Sequence, residues 1–273
     1  MTDAAYEPWL TRWRLTPDGA PFVTRIGSRL MPVRFEGEPA MLKVAEAGSE
    51  EEAGGKLMAW WAGLGAARVL AIEGSALVLE RLDGPRSLAE MARGGADDAA
   101  TRIICETAVS LHAPRAAPPP ASLVPLRRWY RALPAAAARL GGLWAEAWAV
   151  AEPMLDAQQD IAVLHGDLHH ENVLDGGERG WLVIDPKGVL GECGFDYANL
   201  FRNPDADTAL TPGRLARRAR IVAEAARLEP RRLLAWVFTY AVLGAAWSLE
   251  DGQEADARVG LRIGEMARAE MAR

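Results

Sequence analysis

The sequence predicts an α+β fold in two parts, strand-rich over residues 1–82 and mainly helical over residues 83–273. Two patterns carry this division. Before Leu82 the apolar residues fall in short runs broken by Gly, Pro and charged turns, as strands do. Beyond it they recur at helical spacing along alanine-rich stretches. A third observation interrupts the helical part: residues 165–188 form a loop and hairpin rich in carboxylates and imidazoles, with one amide at Asn172.

Taken in order, the pattern from Leu10 onward is strand-rich, and Pro17-Asp18-Gly19 reads as a plain hairpin turn. Residues 31–35, the turn Glu36-Gly37-Glu38-Pro39 and residues 40–44 make a hairpin; residues 76–82 make a later strand that stops at Asp83-Gly84-Pro85. Between them Ser49-Glu50-Glu51-Glu52 opens a helix to about Leu64, with Leu57, Met58, Trp60, Trp61 and Leu64 near helical spacing. Ser87-Leu88-Ala89-Glu90 is a capping box that starts a short helix. A longer helix covers 99–112, and the four prolines of 113–120 mark a surface connection. Helices are predicted over 125–133 and 134–155, the second burying Leu140, Leu143, Trp144, Trp148 and Val150, and again over 212–228, 230–249 and 253–273. Residues 233–249 contain no charge, but these seventeen positions fall short of the roughly 20 that cross a bilayer, so they read as a buried bundle helix.

The chemistry is concentrated after the short apolar strand Ile161-Ala162-Val163-Leu164. The loop His165-Gly166-Asp167-Leu168-His169-His170-Glu171-Asn172 leads into Val173-Leu174, a glycine-rich turn, and Trp181-Leu182-Val183-Ile184, which ends in Asp185-Pro186-Lys187-Gly188. The hairpin therefore carries Asn172 just before its first strand and Asp185 just after its second, so the two meet at one end. Phosphoryl transfer needs this kind of set, because the protein must align a hydroxyl with the γ-phosphate and neutralise charge with Mg²⁺ and a lysine. Asp167 suits the hydroxyl proton. Asn172 and Asp185 offer the hard oxygen ligands that Mg²⁺ prefers. Lys43 lies in the second strand of the 31–44 hairpin, facing away from Leu42 and Val44. Alone it reads as a solvated strand lysine; with the loop present it becomes the lysine for the ATP α- and β-phosphates.

His165-Gly166-Asp167 with Asn172, followed by Ile184-Asp185-Pro186-Lys187-Gly188, resembles the motifs of aminoglycoside phosphotransferases. The Asp-Pro-Lys-Gly form is similar to the streptomycin 6-kinase and hydroxyurea kinase branch. The resemblance extends through Trp13-Arg14-Leu15-Thr16-Pro17-Asp18-Gly19, Leu42-Lys43-Val44, Leu79-Glu80-Arg81-Leu82 and the segment from Asp196 to Pro204, so it covers most of the chain. It implies a two-lobed protein-kinase-like fold, with a nucleotide-binding lobe at 1–82 and a helical lobe at 83–273 that holds the catalytic loop and substrate pocket. The implied reaction is MgATP-dependent transfer to a hydroxyl of a small polar, cationic molecule, a streptomycin-like aminoglycoside first, with hydroxyurea or a cellular sugar or amino-alcohol metabolite as alternatives.

In that reading Asp167 is catalytic, Asn172 and Asp185 hold the metal, and His165 and Asp196 brace the catalytic loop. Gly54 stands where the family has its lysine-pairing glutamate, so one of Glu50, Glu51 and Glu52 substitutes, with Glu51 in the middle taken as the partner of Lys43. Gly27 and Ser28 lay backbone N–H groups over the phosphates, and the backbone of Glu80 and Leu82 takes the adenine edge. Glu192 contacts the substrate. Lys187 either neutralises the acidic cluster or contacts phosphate.

Composition agrees with a soluble globular enzyme: 273 residues, half of them apolar and a quarter charged. The N-terminus has no signal-like basic and apolar regions, and two cysteines, Cys105 and Cys193, point to a reducing compartment and so to the cytoplasm. Net charge is −6, and residues 165–207 hold nine acids against three bases, so the segment around the loop accounts for all of it. Such a cleft attracts Mg²⁺ and a guanidinium- or amine-bearing small molecule and repels nucleic-acid phosphates; no membrane or protein partner is implied. A metal-dependent phosphohydrolase built on His165, Asp167, His169 and His170 is short of ligands, since only His112 remains elsewhere. A catalytically silent nucleotide-binding module would lack Lys43, Asp167, Asn172 or Asp185, and all four are present.

Overall fold

In the computed structural model, which describes residues 5–24, 28–46 and 48–273, the first part is an antiparallel sheet with one helix on each side. It runs α1 (Glu7–Arg12), β1 (Thr16–Pro17), β2 (Phe22–Val23), β3 (Arg29–Phe35), β4 (Glu38–Val44), α2 (Glu50–Trp61), β5 (Val69–Glu73) and β6 (Ala76–Glu80). The sheet order is β1-β3-β4-β6-β5, with β2 also on β3. Alternation along the strands sorts the side chains onto two faces. Met31, Val33, Ala40, Leu42 and Val78 pack on Tyr6, Leu10 and Leu15, while Leu77 and Leu79 pack on Leu57, Met58 and Trp61 of α2. Lys43 pairs in register with Leu77 and so belongs to the α2 face.

The helical part begins with α3 (Leu88–Arg93), α4 (Asp97–His112), β7 (Val124–Pro125), α5 (Leu126–Trp129), α6 (Ala132–Leu140) and α7 (Gly142–Asp156). Next come β8 (Ile161–Leu164), the hairpin β9 (Val173–Asp175) and β10 (Trp181–Val183), and β11 (Val189–Glu192). It closes with α8 (Cys193–Asp196), a 3₁₀ turn at Ala198–Arg202, α9 (Ala206–Ala209), α10 (Arg214–Ala226), α11 (Pro230–Glu250) and α12 (Glu254–Met271). The uncharged stretch lies inside α11, whose apolar surface is covered by α6, α7, α10 and α12. Trp236, Val237, Phe238 and Leu243 are nearly inaccessible there. This helix is long and apolar enough to cross a membrane by length and composition, and its burial against protein makes it the spine of the helical core.

Several predicted elements are redrawn. Leu10 lies in helix α1 rather than in a strand. Pro17-Asp18-Gly19 is not a hairpin turn: β1 and β2 both run along β3, pairing Thr16 with Arg34 and Phe22 with Leu30, so the intervening residues bulge from one interrupted edge strand. The edge strand β5 and the strand β11 were not foreseen. The predicted boundary at Pro134 falls inside α6, and the break comes instead at Gly141 and Gly142, whose φ values of +63° and +51° end one helix and start the next.

The two parts meet along the hairpin. Arg86 donates to both carboxylate oxygens of Asp175 at 2.8 and 2.7 Å, and the Gly84 N–H donates to the Asp175 carbonyl at 3.1 Å. Asp175 is buried, so it is a structural tie between the 81–87 connection and β9 rather than a solvated turn residue.

Candidate active site

Strand β8 delivers the chain to His165, and β11 returns beside it, pairing Val189 with Leu164. The loop between is fixed from inside. The buried Asp196 carboxylate accepts the N–H of His165 at 2.8 Å and of Gly166 at 2.7 Å, and His112 Nε2 lies 2.9 Å from it. Burial disfavours the Asp196 charge, but the His112 hydrogen bond and the donated N–H groups outweigh it and hold the carboxyl below the usual range.

His165 is fully buried and stacks on Trp61 of α2 with ring centroids 6.3 Å apart. Its Nε2 lies 2.8 Å from the Ile184 carbonyl, and its Nδ1 accepts the Asp167 N–H at 3.2 Å. Those partners require the Nε2–H tautomer, and burial pushes the ring's pKa down, so it stays neutral. The imidazole thus links the backbone of the 165–167 loop to the strand that leads into Asp185.

Asp167 emerges from this scaffold with its side chain 31% exposed. Its Oδ1 accepts from Asn199 Nδ2 at 2.8 Å. Asn172 Nδ2 donates to the Asp167 backbone carbonyl at 2.9 Å and lies 3.4 Å from Oδ2, leaving the side-chain Oδ1 of Asn172 for another partner. The Ile184 N–H donates to the Asn172 carbonyl at 3.0 Å, which closes the open end of the hairpin. Asp185 follows with φ +60°, a left-handed conformation that costs energy for a residue with a side chain. The Lys187 N–H, bonded to the His165 carbonyl at 2.7 Å, pins the turn from the other side.

From the opposite wall Lys43 Nζ pairs with both Asp185 and Glu51. Of Glu51 and Glu52, the acids at the start of α2 whose side chains are described, Glu51 is thus the one on the lysine, while Glu52 pairs with Lys56. Ser28 Oγ donates to Glu51 at 2.6 Å, and Lys187 Nζ lies 3.3 Å from Glu51 and 3.8 Å from Asp185. Burial opposes the Asp185 charge, yet Lys43 and then Lys187 hold its carboxyl low. Burial likewise opposes the Lys187 charge, and Asp185 and Glu51 raise its pKa despite it. A cavity of about 90 Å³ adjoins this cluster, with apolar walls from Leu30, Met58, Leu77, Leu79 and Ile184. A cavity of about 620 Å³ elsewhere, between Arg93, Asp207 and Arg217, contains none of these groups.

Some predicted residues are not brought here as foreseen. Gly27 lies outside the described residues. Ser28 sits at the cleft, but its N–H is taken by Thr24 Oγ1 at 3.1 Å and its hydroxyl by Glu51, so it does not present a free N–H. The Glu80 carboxylate turns to Arg68 and Arg179, and the Glu80 N–H donates to the Arg68 carbonyl at 3.0 Å. Leu82 packs against the main core. Glu192 is the clear correction. It lies at the far end of β11, paired with Ile161, where Arg232 grips both its oxygens at 2.6 Å, Trp236 Nε1 donates at 2.7 Å and the Gln159 N–H at 2.9 Å. With every lone pair engaged it is an internal brace. Sequence reasoning missed Asn199, whose only signal was its place in the 196–204 segment.

Residues 12–252 match the family described as aminoglycoside/hydroxyurea antibiotic resistance kinase. A streptomycin 3''-kinase of Klebsiella pneumoniae is 48% identical over 266 residues, covering 95% of this chain and 98% of that one. A streptomycin 6-kinase of Streptomyces glaucescens is 32% identical over 262 residues, covering 92% and 84%. The fold is shared with a crystal structure of a thermostable aminoglycoside phosphotransferase mutant in ternary complex with ADP and hygromycin B, at TM-score 0.68 and 14% identity over 98% of this chain and 99% of that one. Near-complete coverage by the family and by its streptomycin-kinase relatives makes this chain a member of the aminoglycoside/hydroxyurea antibiotic resistance kinase family.

Proposed function

We propose that this kinase transfers the γ-phosphate of ATP, as its Mg²⁺ complex, to a hydroxyl of streptomycin. The observation that carries the reading is the meeting, across one cleft, of the Lys43–Glu51–Asp185 cluster with the Asp167–Asn172 loop, tied by the 3.0 Å hydrogen bond between Ile184 and Asn172. Residues 1–82 act as the nucleotide lobe, and residues 83–273 supply the catalytic loop and the acceptor pocket. The adenine enters beside the apolar wall of Leu77 and Leu79, against the backbone of the 80–82 connection.

The metal assignment rests on the donor set. Asn172 uses its amide nitrogen on Asp167 and keeps its oxygen, and Asp185 adds a carboxylate. Among the described residues no three His, Cys, Asp or Glu side chains are grouped to hold a metal ion. Two oxygen ligands with room for phosphates and water suit Mg²⁺, which seldom takes an all-protein cage. When bound, the cation supplies positive charge to the phosphate oxygens. Lys43 adds a second positive charge, and Glu51 keeps it aimed into the cleft once Asp185 is engaged elsewhere. Asp167 orients the acceptor hydroxyl and takes its proton. His165 and Asp196 hold the loop that presents it.

The acceptor follows from charge and relationship. Asp175, Glu192 and Asp196 are paired within the fold, but Asp167 and Glu171 leave the loop itself acidic and favour a cationic acceptor, and both relatives named above are streptomycin kinases. Two free cysteines and use of ATP fit a cytoplasmic enzyme. The test is incubation of the purified protein with MgATP and either streptomycin or hydroxyurea, with products identified by mass and ³¹P NMR. Monophosphorylated streptomycin supports the proposal, and the NMR assigns the hydroxyl. Phosphorylated hydroxyurea with unchanged streptomycin overturns the choice of acceptor.

A further inference from the structure

We propose that Asn199 is a positioning residue for the transfer step, its side-chain amide holding the Asp167 carboxylate so that Oδ2 faces the acceptor hydroxyl. The inference rests on the reading of Asp167 as the base. Asn199 Nδ2 donates to Asp167 Oδ1 at 2.8 Å, whereas Oδ2 has the long 3.4 Å approach of Asn172 and His169 Nε2 farther off at 3.9 Å. One good hydrogen bond therefore fixes the torsion of the carboxylate and leaves the second oxygen with free lone pairs. In the transfer, the acceptor oxygen bonds to the γ-phosphorus. The bond from that phosphorus to the β,γ-bridging oxygen breaks with its electron pair leaving on ADP, and the hydroxyl proton passes to Oδ2.

Asn199 is itself held. It is 8% exposed, and Asn203 Nδ2 donates to its carbonyl at 2.9 Å and lies 3.3 Å from its Oδ1. The contact to Oδ1, together with the Asp167 bond, puts the Asn199 NH₂ toward Asp167; a flipped amide would set its oxygen against Asp167 Oδ1 and its NH₂ against the Asn203 donor. The Asn203 carbonyl in turn accepts from Arg214 at 2.9 Å and Arg218 at 3.2 Å, and both arginines pair with the buried Asp97 at the start of α4. The amide that touches Asp167 is thus the last link of a chain anchored in the helical core. An amide is the suitable end group, because it aligns the carboxylate without bringing a cation that would compete for its charge.

The test compares Asn199→Ala, Asn199→Asp and Asp167→Asn, singly and with Asn199→Ala combined with Asp167→Asn, by transfer kinetics, ATP binding and melting temperature. The expected result for Asn199→Ala is a fall in kcat of roughly tenfold to a hundredfold, the scale of a misplaced reacting group. ATP affinity and acceptor KM should stay within about twofold, the change of an interaction made in the transition state. Asn199→Asp, although isosteric, should be slower than Asn199→Ala because it opposes one carboxylate to another. In the Asp167→Asn background Asn199→Ala should cost nothing further. An Asn199→Asp enzyme faster than Asn199→Ala, or losses that multiply in the double variant, would show that Asn199 only supports the fold and overturn the proposal. Full turnover in Asp167→Asn alone would overturn the base assignment and this inference with it.

Discussion

Gly54 and Pro186 touch across the cleft: a Cβ at residue 54 would stand 2.2 Å from the Pro186 carbonyl oxygen. Helix α2 is thereby seated directly on the turn that carries Asp185 and Lys187. The contact explains why the acid that reaches Lys43 is Glu51, one turn earlier on the same helix face. Gly54→Ala must push α2 away from Asp185. It should lower stability by about 1–3 kcal/mol, the usual cost of overpacking, and raise the KM for ATP by displacing Glu51. Thermal melts and nucleotide kinetics check both, and an unchanged melting temperature would contradict the close packing.

The Lys43–Glu51–Asp185 cluster predicts distinct nucleotide phenotypes. Asp185→Ala removes the carboxylate proposed for the metal and should abolish Mg²⁺-dependent ATP binding in calorimetry. Glu51→Gln keeps the shape but not the charge, so it should leave binding measurable while lowering kcat/KM for ATP about tenfold. Equal losses in the two variants would argue against separate roles for the two carboxylates.

Much of this arrangement was legible because its parts are neighbours in sequence. Asp167 and Asn172 share one loop, and strand alternation alone puts Lys43 on the face opposite Leu42. What could not be read are the contacts that join distant segments: His112 with Asp196, Asn199 with Asp167, Arg86 with Asp175. Glu192 misled for the converse reason. It follows Asp185 by seven residues, but β11 leads away from the loop, so Glu192 ends three residues, or about 10 Å of strand, beyond the Val189–Leu164 pair. The short sequence Val189-Leu190-Gly191-Glu192 gave no alternation long enough to reveal that strand. Similarly, β1 and β2 are two residues each, below the length at which period-two patterning is visible.

Glu192 supplies a prediction that separates brace from substrate contact. Glu192→Ala leaves the Arg232 guanidinium and the buried Trp236 N–H without their acceptor. Stability should fall by about 3 kcal/mol, as when one partner of a largely buried pair is removed, with acceptor KM unchanged at temperatures where the variant is folded. A raised KM in a fully stable variant would restore Glu192 to the substrate pocket.

Stability should also fall in mild acid through two buried histidines. Burial lowers the pKa of His165. Burial, then the adjacent Arg218 and Arg214, push His170 down to about 2; its Nε2 faces Arg218 at 3.2 Å and has no room for a proton. Both rings titrate near 6.5 when the chain is unfolded, so below that pH the unfolded state binds more protons and the native state loses ground. The contribution is full well above pH 6.5 and declines as pH falls; His170 alone should cost about 1.4 kcal/mol between pH 7.5 and 5.5, and His165 acts in the same direction. The carboxyls of Asp185 and Asp196, held below 3.8, add their loss only at more acid pH. Denaturant unfolding at pH 7.5 and 5.5 measures the difference, and His170→Gln, which keeps an acceptor for Arg218, should remove the His170 share of it; an unchanged difference would contradict the assignment.

Transfer through Asp167 is measured by following label from [γ-³²P]ATP with Mg²⁺ onto streptomycin, in the wild-type protein and in Asp167→Asn side by side. The wild type should label streptomycin, and the variant should show a kcat reduced roughly 10²–10⁴-fold, the scale for loss of a positioned base, with ATP affinity nearly unchanged. Labelling at the wild-type rate by the variant, or ATP binding by neither protein, would contradict transfer through Asp167.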